Sequence, residues 1–226
     1  PFGERLALLE VFAGRPRDWS LVDATQRLAR AVGAPRGALG LDSGFHPDED
    51  VTADEISTAL GAVIDARLVD VLWLGIPCAS VSVMWSRHGA HPFRSRAEPD
   101  GIDPMPPDWR RYADRHNGYI RMGADWARRQ VRSGGTVYIE NPADVGNRLS
   151  PFFTYSRRHH VPLWLTSPIR SLCSEFIPRW ATSHMCAWLG RFHKPLTFLG
   201  IGPKAASFTY RVNTARCVAV RHALRA

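Results

Sequence analysis

The chain has 226 residues, enough for one domain, or for two only if both are small, and enough to bury a core without disulfide staples. Apolar residues make up 45%, no run is long enough to span a bilayer, and the first residues carry no apolar signal core. Twenty-nine Lys and Arg against twenty-one acids leave a net charge of +8, mostly from Arg, a balance that favours a polyanionic partner, nucleic acid above all.

Leu6 to Phe12 is a short, mostly apolar run ending in Ala13-Gly14, the pattern of a buried strand. Asp18 or Ser20 is placed to cap a helix with Leu21, Ala24, Leu28 and Val32 on one face and Gly33 at its end. Ala38 to Leu41 reads as a second strand closing on Asp42-Ser43-Gly44. Thr52 and Glu55 have the spacing of a capping box, ahead of a helix with Ile56, Leu60, Val63 and Ile64 on one side. Leu68 to Leu74 is the next strand and runs into Gly75-Ile76-Pro77-Cys78.

Arg87 to Pro107 is rich in Pro, Gly and charge and reads as a long exposed loop. A helix over about Asp108 to Arg132 carries Trp109, Tyr112, His116, Tyr119, Ile120, Gly123 and Trp126 along one side and stops at Gly134-Gly135. Thr136 to Ile139 forms a strand leading into Glu140-Asn141-Pro142. Further strands are expected near Val161 to Leu165, Met185 to Leu189 and Leu196 to Leu199. Strands alternating with amphipathic helices predict an α/β protein with a parallel, doubly wound sheet. In such sheets ligands sit at the carboxyl ends of the strands. That rule selects Phe12-Ala13-Gly14, Asp42, Pro77-Cys78 and Glu140-Asn141-Pro142.

A cysteine at a strand tip followed by Ala79-Ser80-Val81-Ser82 is placed like an active thiol, with core filling as the plainer alternative. Glu140 suits an acid or a hydrogen-bond partner, and Asp42 stands where nucleotide-type folds bind ribose hydroxyls; a capping residue and a turn former are the corresponding alternatives. The other cysteines, Cys173, Cys186 and Cys217, lack metal-finger spacing. Reduced thiols and an intracellular location are expected, and the irregular set Cys173, His184, Cys186 and His193 is read as packing, not as a metal site. Arg110-Arg111, Arg128-Arg129 and Arg157-Arg158-His159-His160 are read as solvated faces before they are read as phosphate contacts.

Taken together, three blocks resemble the DNA cytosine-C5 methyltransferases: Gly75-Ile76-Pro77-Cys78-Ala79-Ser80-Val81-Ser82, Tyr138-Ile139-Glu140-Asn141-Pro142 and Leu9-Glu10-Val11-Phe12-Ala13-Gly14. Met185-Cys186-Ala187-Trp188-Leu189-Gly190 with Lys194-Pro195-Leu196-Thr197 is similar to the tail of compact, divergent members. The resemblance implies a Rossmann-like, doubly wound, mostly parallel sheet of the class I S-adenosylmethionine-dependent methyltransferase type. It spans roughly residues 6–200 of a single domain over 1–226, with no separate target-recognition domain. It implies Cys78 as nucleophile, Glu140 as the group on the N3/N4 edge of the base, and Asn141 as the holder of local backbone geometry. Phe12, Ala13, Gly14, Asp42, Asp50 and Pro77 would hold S-adenosylmethionine, with Asp54 a rival to Asp50. Ser80, Trp85 and Arg87 would meet DNA, with the cytosine extruded or single-stranded and a partner chain as one source of sequence specificity. Arg170 and Arg179 are the candidates for an arginine that helps hold the base. Two other readings use the same residues: a methyltransferase-fold module that binds nucleic acid or a protein without strong catalysis, and a pyrimidine-C5 enzyme acting on RNA or a free nucleotide.

Overall fold

Short, mostly apolar runs form the interior strands, and six strands join in one sheet with the order β2-β1-β3-β4-β6-β5. A computed structural model describes residues 6–13, 20–33, 37–42, 50–82, 93–184 and 195–214. The strands are β1 (Leu6–Val11), β2 (Ala38–Leu41), β3 (Val69–Leu74), β4 (Thr136–Pro142), β5 (Arg179–His184) and β6 (Pro195–Ile201). Among the described residues five helices accompany them: α1 (Leu21–Ala31), α2 (Asp54–Asp65), α3 (Pro107–Arg132), α4 (Ser167–Glu175) and α5 (Ala205–Thr214). None of these helices is long and apolar enough to cross a membrane.

The first four strands in the order pair in parallel, as the alternation of elements predicts. The other end of the sheet departs from that expectation, because β6 runs antiparallel to both β4 and β5, making the sheet mixed. The link from His184 to Pro195 is shorter than the dozen or so residues that a parallel crossover needs, so the chain returns reversed.

Alternation along the strands sorts the core into two layers. Leu9, Val11, Leu72, Leu74, Val137 and Ile139 face one side, packed with Leu60 and Ile64 of α2, Ile120 and Ala124 of α3, and Ile169 and Leu172 of α4. Full burial of each such side chain contributes roughly 1.5–3 kcal/mol. On the other side Trp73, Tyr138 and Phe198 pack against Phe208 of α5, with the Tyr138 and Phe208 rings 4.4 Å apart. There α1 lies over β1 and β2, its Val22 against Gly40.

Several local expectations change. Ser20 caps α1 as predicted, accepting from the Asp23 amide at 3.1 Å. The predicted apolar face does not pack on the sheet, since Leu28 and Val32 are 64% and 67% exposed. The helix is rotated so that Gln26 reaches the edge strand, its Nε2 donating to the Ala38 carbonyl at 2.9 Å. The capping box at Thr52 does not form either. Both the amide and the hydroxyl of Thr52 donate to Asp50 Oδ1, an Asx turn that competes with capping, and Ala53 becomes the N-cap of α2.

Of the stretch expected as an exposed loop, residues 93–106 form no helix or strand, yet Phe93 and Arg94 are buried. Pro162 leads Leu163–Leu165 into a 3₁₀ turn where a strand was expected. The expected strand at Met185 to Leu189 lies outside the described residues.

Gly202 closes β6 with φ +109, and a Cβ there would lie 2.5 Å from the Gly135 carbonyl oxygen and 2.9 Å from Thr136 Cα. Both obstacles are backbone and cannot rotate away. Gly202→Ala is expected to lower unfolding free energy by about 2 kcal/mol or more. Urea denaturation checks this, and an unchanged midpoint would contradict the packing described.

Candidate functional site

Beyond β3 the chain leaves regular structure, yet almost every carbonyl of the Pro-Cys segment has a donor. The Gly75 amide extends the ladder by donating to the Val11 carbonyl at 3.0 Å. Asn141 Nδ2 donates to the Ile76 carbonyl at 2.8 Å. The Val81 amide returns to the Cys78 carbonyl at 3.0 Å, closing a 3₁₀ turn over Ala79–Val81. Arg94 donates from Nε to the Ser80 carbonyl at 3.3 Å and from Nη2 to Ser80 Oγ at 3.0 Å. His160 Nε2 donates to the Val81 carbonyl at 2.9 Å. Inside this frame Cys78 is a free, half-buried thiol.

Arg94 is only 3% exposed, and its remaining donors go to the Pro99 carbonyl at 2.6 Å and Asn117 Oδ1 at 2.8 Å. Burial pulls its pKa down, opposed by the negative charge of Asp100. Burial and the neighbouring Arg94 also push His116 down to about 4, so it stays neutral at physiological pH.

The Glu-Asn block is part of β4, which outruns β3. The last β3–β4 pair is Leu74 with Ile139, and from Glu140 onward β4 pairs only with β6. Alternation places Asn141 on the α3 side, buried and bonded to the Pro-Cys segment, and Glu140 on the opposite face with Tyr138. Glu10 of β1 shares Glu140's face. Burial raises the Glu10 carboxyl to about 7, against a hydrogen bond from the Val22 amide, and the Glu140 charge pushes it further up. Its Oε2 is buried without a hydrogen-bond partner.

The expected cofactor residues fall at the ends of β1, β2 and β3. Phe12 has a left-handed φ of +61, a strained state for a side chain of its size. Its ring packs on Tyr119 and Trp126 at 5.8 and 6.2 Å, so it serves the core, and any ligand contact there falls to the backbone. A Cβ at Gly75 would sit 3.0 Å from the Phe12 carbonyl oxygen, which is how closely the ends of β1 and β3 approach. The Ala13 amide is bonded to the Leu41 carbonyl. Asp42 forms a parallel bridge with Asp50, the Val51 amide donating to the Asp42 carbonyl at 3.2 Å. Asp50 spends Oδ1 on Thr52.

Among the expected DNA contacts, Ser80 is buried and its hydroxyl accepts from Arg94, which makes it part of the loop's frame. Gly14, Trp85 and Arg87 lie outside the described residues.

The doubled arginines are matched by acids. Arg110 pairs with Asp103, Arg111 with Asp108, Arg128 with Glu175, and Arg129 with Asp65 and Asp125. Such surface pairs contribute roughly 0–1 kcal/mol each. In the Arg157-Arg158-His159-His160 run, Arg158 lies over the Tyr155 ring at 4.8 Å, whereas His160 is buried and not a solvated residue. Arg170 and Arg179 are exposed. The residues that sequence reasoning missed are Glu10, Arg94, Asp144 and His160. For the last three the only signal is a pairing over long sequence separations. Neither the family models nor the curated proteins give a match to this chain.

Two outcomes follow from these contacts. Asn141→Ala leaves the Ile76 carbonyl unpaired and is expected to cost about 1–3 kcal/mol in urea unfolding; no loss would mean that the two strand ends are not tied. Glu10 has a folded pKa raised above its ordinary value of 4.5, so the stability it contributes is full below that value and lost as pH rises through about 7. Glu10→Gln should therefore match the wild type near pH 4.5 and melt at higher temperature than it does at pH 8. A gap that is constant with pH would contradict the burial described.

Proposed function

We propose that this chain transfers a methyl group from S-adenosylmethionine to C5 of cytosine in DNA, with Cys78 as a covalent nucleophile and Glu140 as the acid on the base. The observation that carries this reading is the bond from Asn141 to the Ile76 carbonyl, which couples the Pro-Cys segment to the Glu-Asn strand at neighbouring carboxyl ends of the sheet. Support also comes from the sheet itself, whose four parallel strands are compatible with a Rossmann-like methyltransferase fold. The similarity of the three sequence blocks to the cytosine-C5 enzymes supplies the chemistry.

The residues present fit such a cofactor. Glu10 offers a buried oxygen without a partner at the end of β1, an acceptor suited to a hydroxyl or ammonium group. Asp42 at the end of β2 is the candidate for ribose hydroxyls, with Asp50 beside it for the adenine. Bound there, S-adenosylmethionine supplies an electrophilic methyl group.

The chain's own residues do the rest. Cytosine C5 is a poor nucleophile until the Cys78 thiolate adds to C6, forming a C–S bond and breaking the C5–C6 π bond. A proton held by Glu140 at N3 keeps negative charge from building on the ring as the π electrons shift. Once C5 has gained the methyl group, loss of the C5 proton to a base and cleavage of the C–S bond restore the aromatic ring and the thiolate. The target atoms are buried in a duplex, so the cytosine must be extruded or single-stranded.

An oligonucleotide carrying 5-fluorocytosine blocks the final proton loss and traps the adduct. The wild type is expected to form a stable adduct in the presence of S-adenosylmethionine, and Cys78→Ser to form none; an adduct persisting in Cys78→Ser would overturn the assignment. Glu140→Gln should lose roughly a hundredfold or more in turnover with the fold intact. Oligonucleotide binding without an adduct in the wild type would favour the binding-module reading.

A further inference from the structure

We propose that His160 is a positioning residue for Cys78: supported by Asp144 and Arg96, it fixes the carbonyl at the far end of the nucleophile turn. This inference rests on the methyltransferase reading for its purpose, though not for its geometry. Val81 has both backbone groups committed, its amide to the Cys78 carbonyl at 3.0 Å and its carbonyl to His160 Nε2 at 2.9 Å. A turn of three residues has too few internal bonds to hold its own shape. The external donor therefore decides where the turn ends and, through it, where Cys78 sits.

His160 is itself held from two sides. Its side chain is only 2% exposed, and Nδ1 stands 3.6 Å from Asp144 Oδ1, an ion-pair distance outside hydrogen-bond range. Arg96 grips Asp144 with both terminal nitrogens, at 3.1 and 3.0 Å, and donates to the backbone carbonyl of His160 at 2.8 Å. The Gly146 amide adds a bond to Asp144 Oδ1 at 3.0 Å. Burial alone would raise the Asp144 carboxyl, but the contacts from His160, Arg96 and Gly146 hold it down to about 2, so it remains ionised throughout the working range.

The arrangement has a consequence for the chemistry. Asn141 clamps the near end of the nucleophile segment at Ile76, and Asp144, just past the end of the same strand, supports the clamp on its far end at Val81. Both ends of the Cys78 loop are thus referenced to the strand that carries Glu140. Small displacements of a reacting atom cost rate far more than affinity.

The test compares His160→Phe, which keeps a ring but no donor, with His160→Gln, whose amide nitrogen can still donate to Val81. At saturating 5-fluorocytosine oligonucleotide and S-adenosylmethionine, His160→Phe should form the adduct at least about tenfold more slowly, with both ligands bound within about twofold of wild type. His160→Gln should recover most of that rate. A wild-type rate in His160→Phe, or a loss that His160→Gln does not reverse, overturns the proposal. If His160→Phe fails to fold, Asp144→Asn takes its place, with a slower adduct at unchanged affinity expected and an unchanged rate counting against the clamp. Alkylation of Cys78 by iodoacetamide, followed by peptide mass, needs neither DNA nor cofactor. A rate changed in His160→Phe and restored in His160→Gln supports the clamp even if the wild type forms no adduct, which would defeat the methyltransferase reading alone. An unchanged alkylation rate overturns the clamp.

Discussion

The site depends on one requirement: a chain segment with neither helix nor sheet bonds of its own must still have its buried carbonyls paired. Ile76, Ser80 and Val81 all give their carbonyls to side chains, from Asn141, Arg94 and His160. Each such bond contributes only about 1 kcal/mol net, but leaving a buried acceptor empty costs about 1–3 kcal/mol. The asymmetry makes the arrangement specific more than strong. The donors come from β4, the segment after residue 93 and the turn before Val161, so the loop's shape is fixed only when those elements have docked. A thiol placed in this way has its position set by the whole fold, not by local propensity.

The charged groups around the site follow from the same burial. Arg94 is enclosed with its donors matched to neutral acceptors and the opposing charge of Asp100 close enough to matter. Its field, added to burial, keeps His116 neutral. On the other face of the sheet, Glu10 and Glu140 place two acids within electrostatic reach, and Glu10 is the one pushed toward neutrality.

Much of the frame was legible in the sequence. β1 and β3 are largely apolar runs that bury residues on both faces, β2 is a short apolar run at the edge, and α3 shows its stripe over many turns. β5 was not legible, because Arg-Trp-Ala-Thr-Ser-His turns only the small residues Ala181 and Ser183 inward and offers little apolar signal. The direction of β6 was hidden because nothing in Pro195–Ile201 distinguishes a parallel from an antiparallel strand. α1 misled, since its most regular apolar spacing lies on the exposed face and its docking is set by Gln26. At the candidate site, Cys78, Glu140 and Asn141 were singled out by motif. Arg94 and His160 were not, for they act on residues 14 and 79 positions away, beyond any local window.

The central claim is that Cys78 activates a pyrimidine at C6 so that C5 is substituted. Because C5 must give up its hydrogen, DNA labelled with tritium at cytosine C5 reports the reaction directly. The account predicts release of tritium into water that needs S-adenosylmethionine for methyl transfer and vanishes in Cys78→Ala. Release no greater from the wild type than from that variant would contradict it.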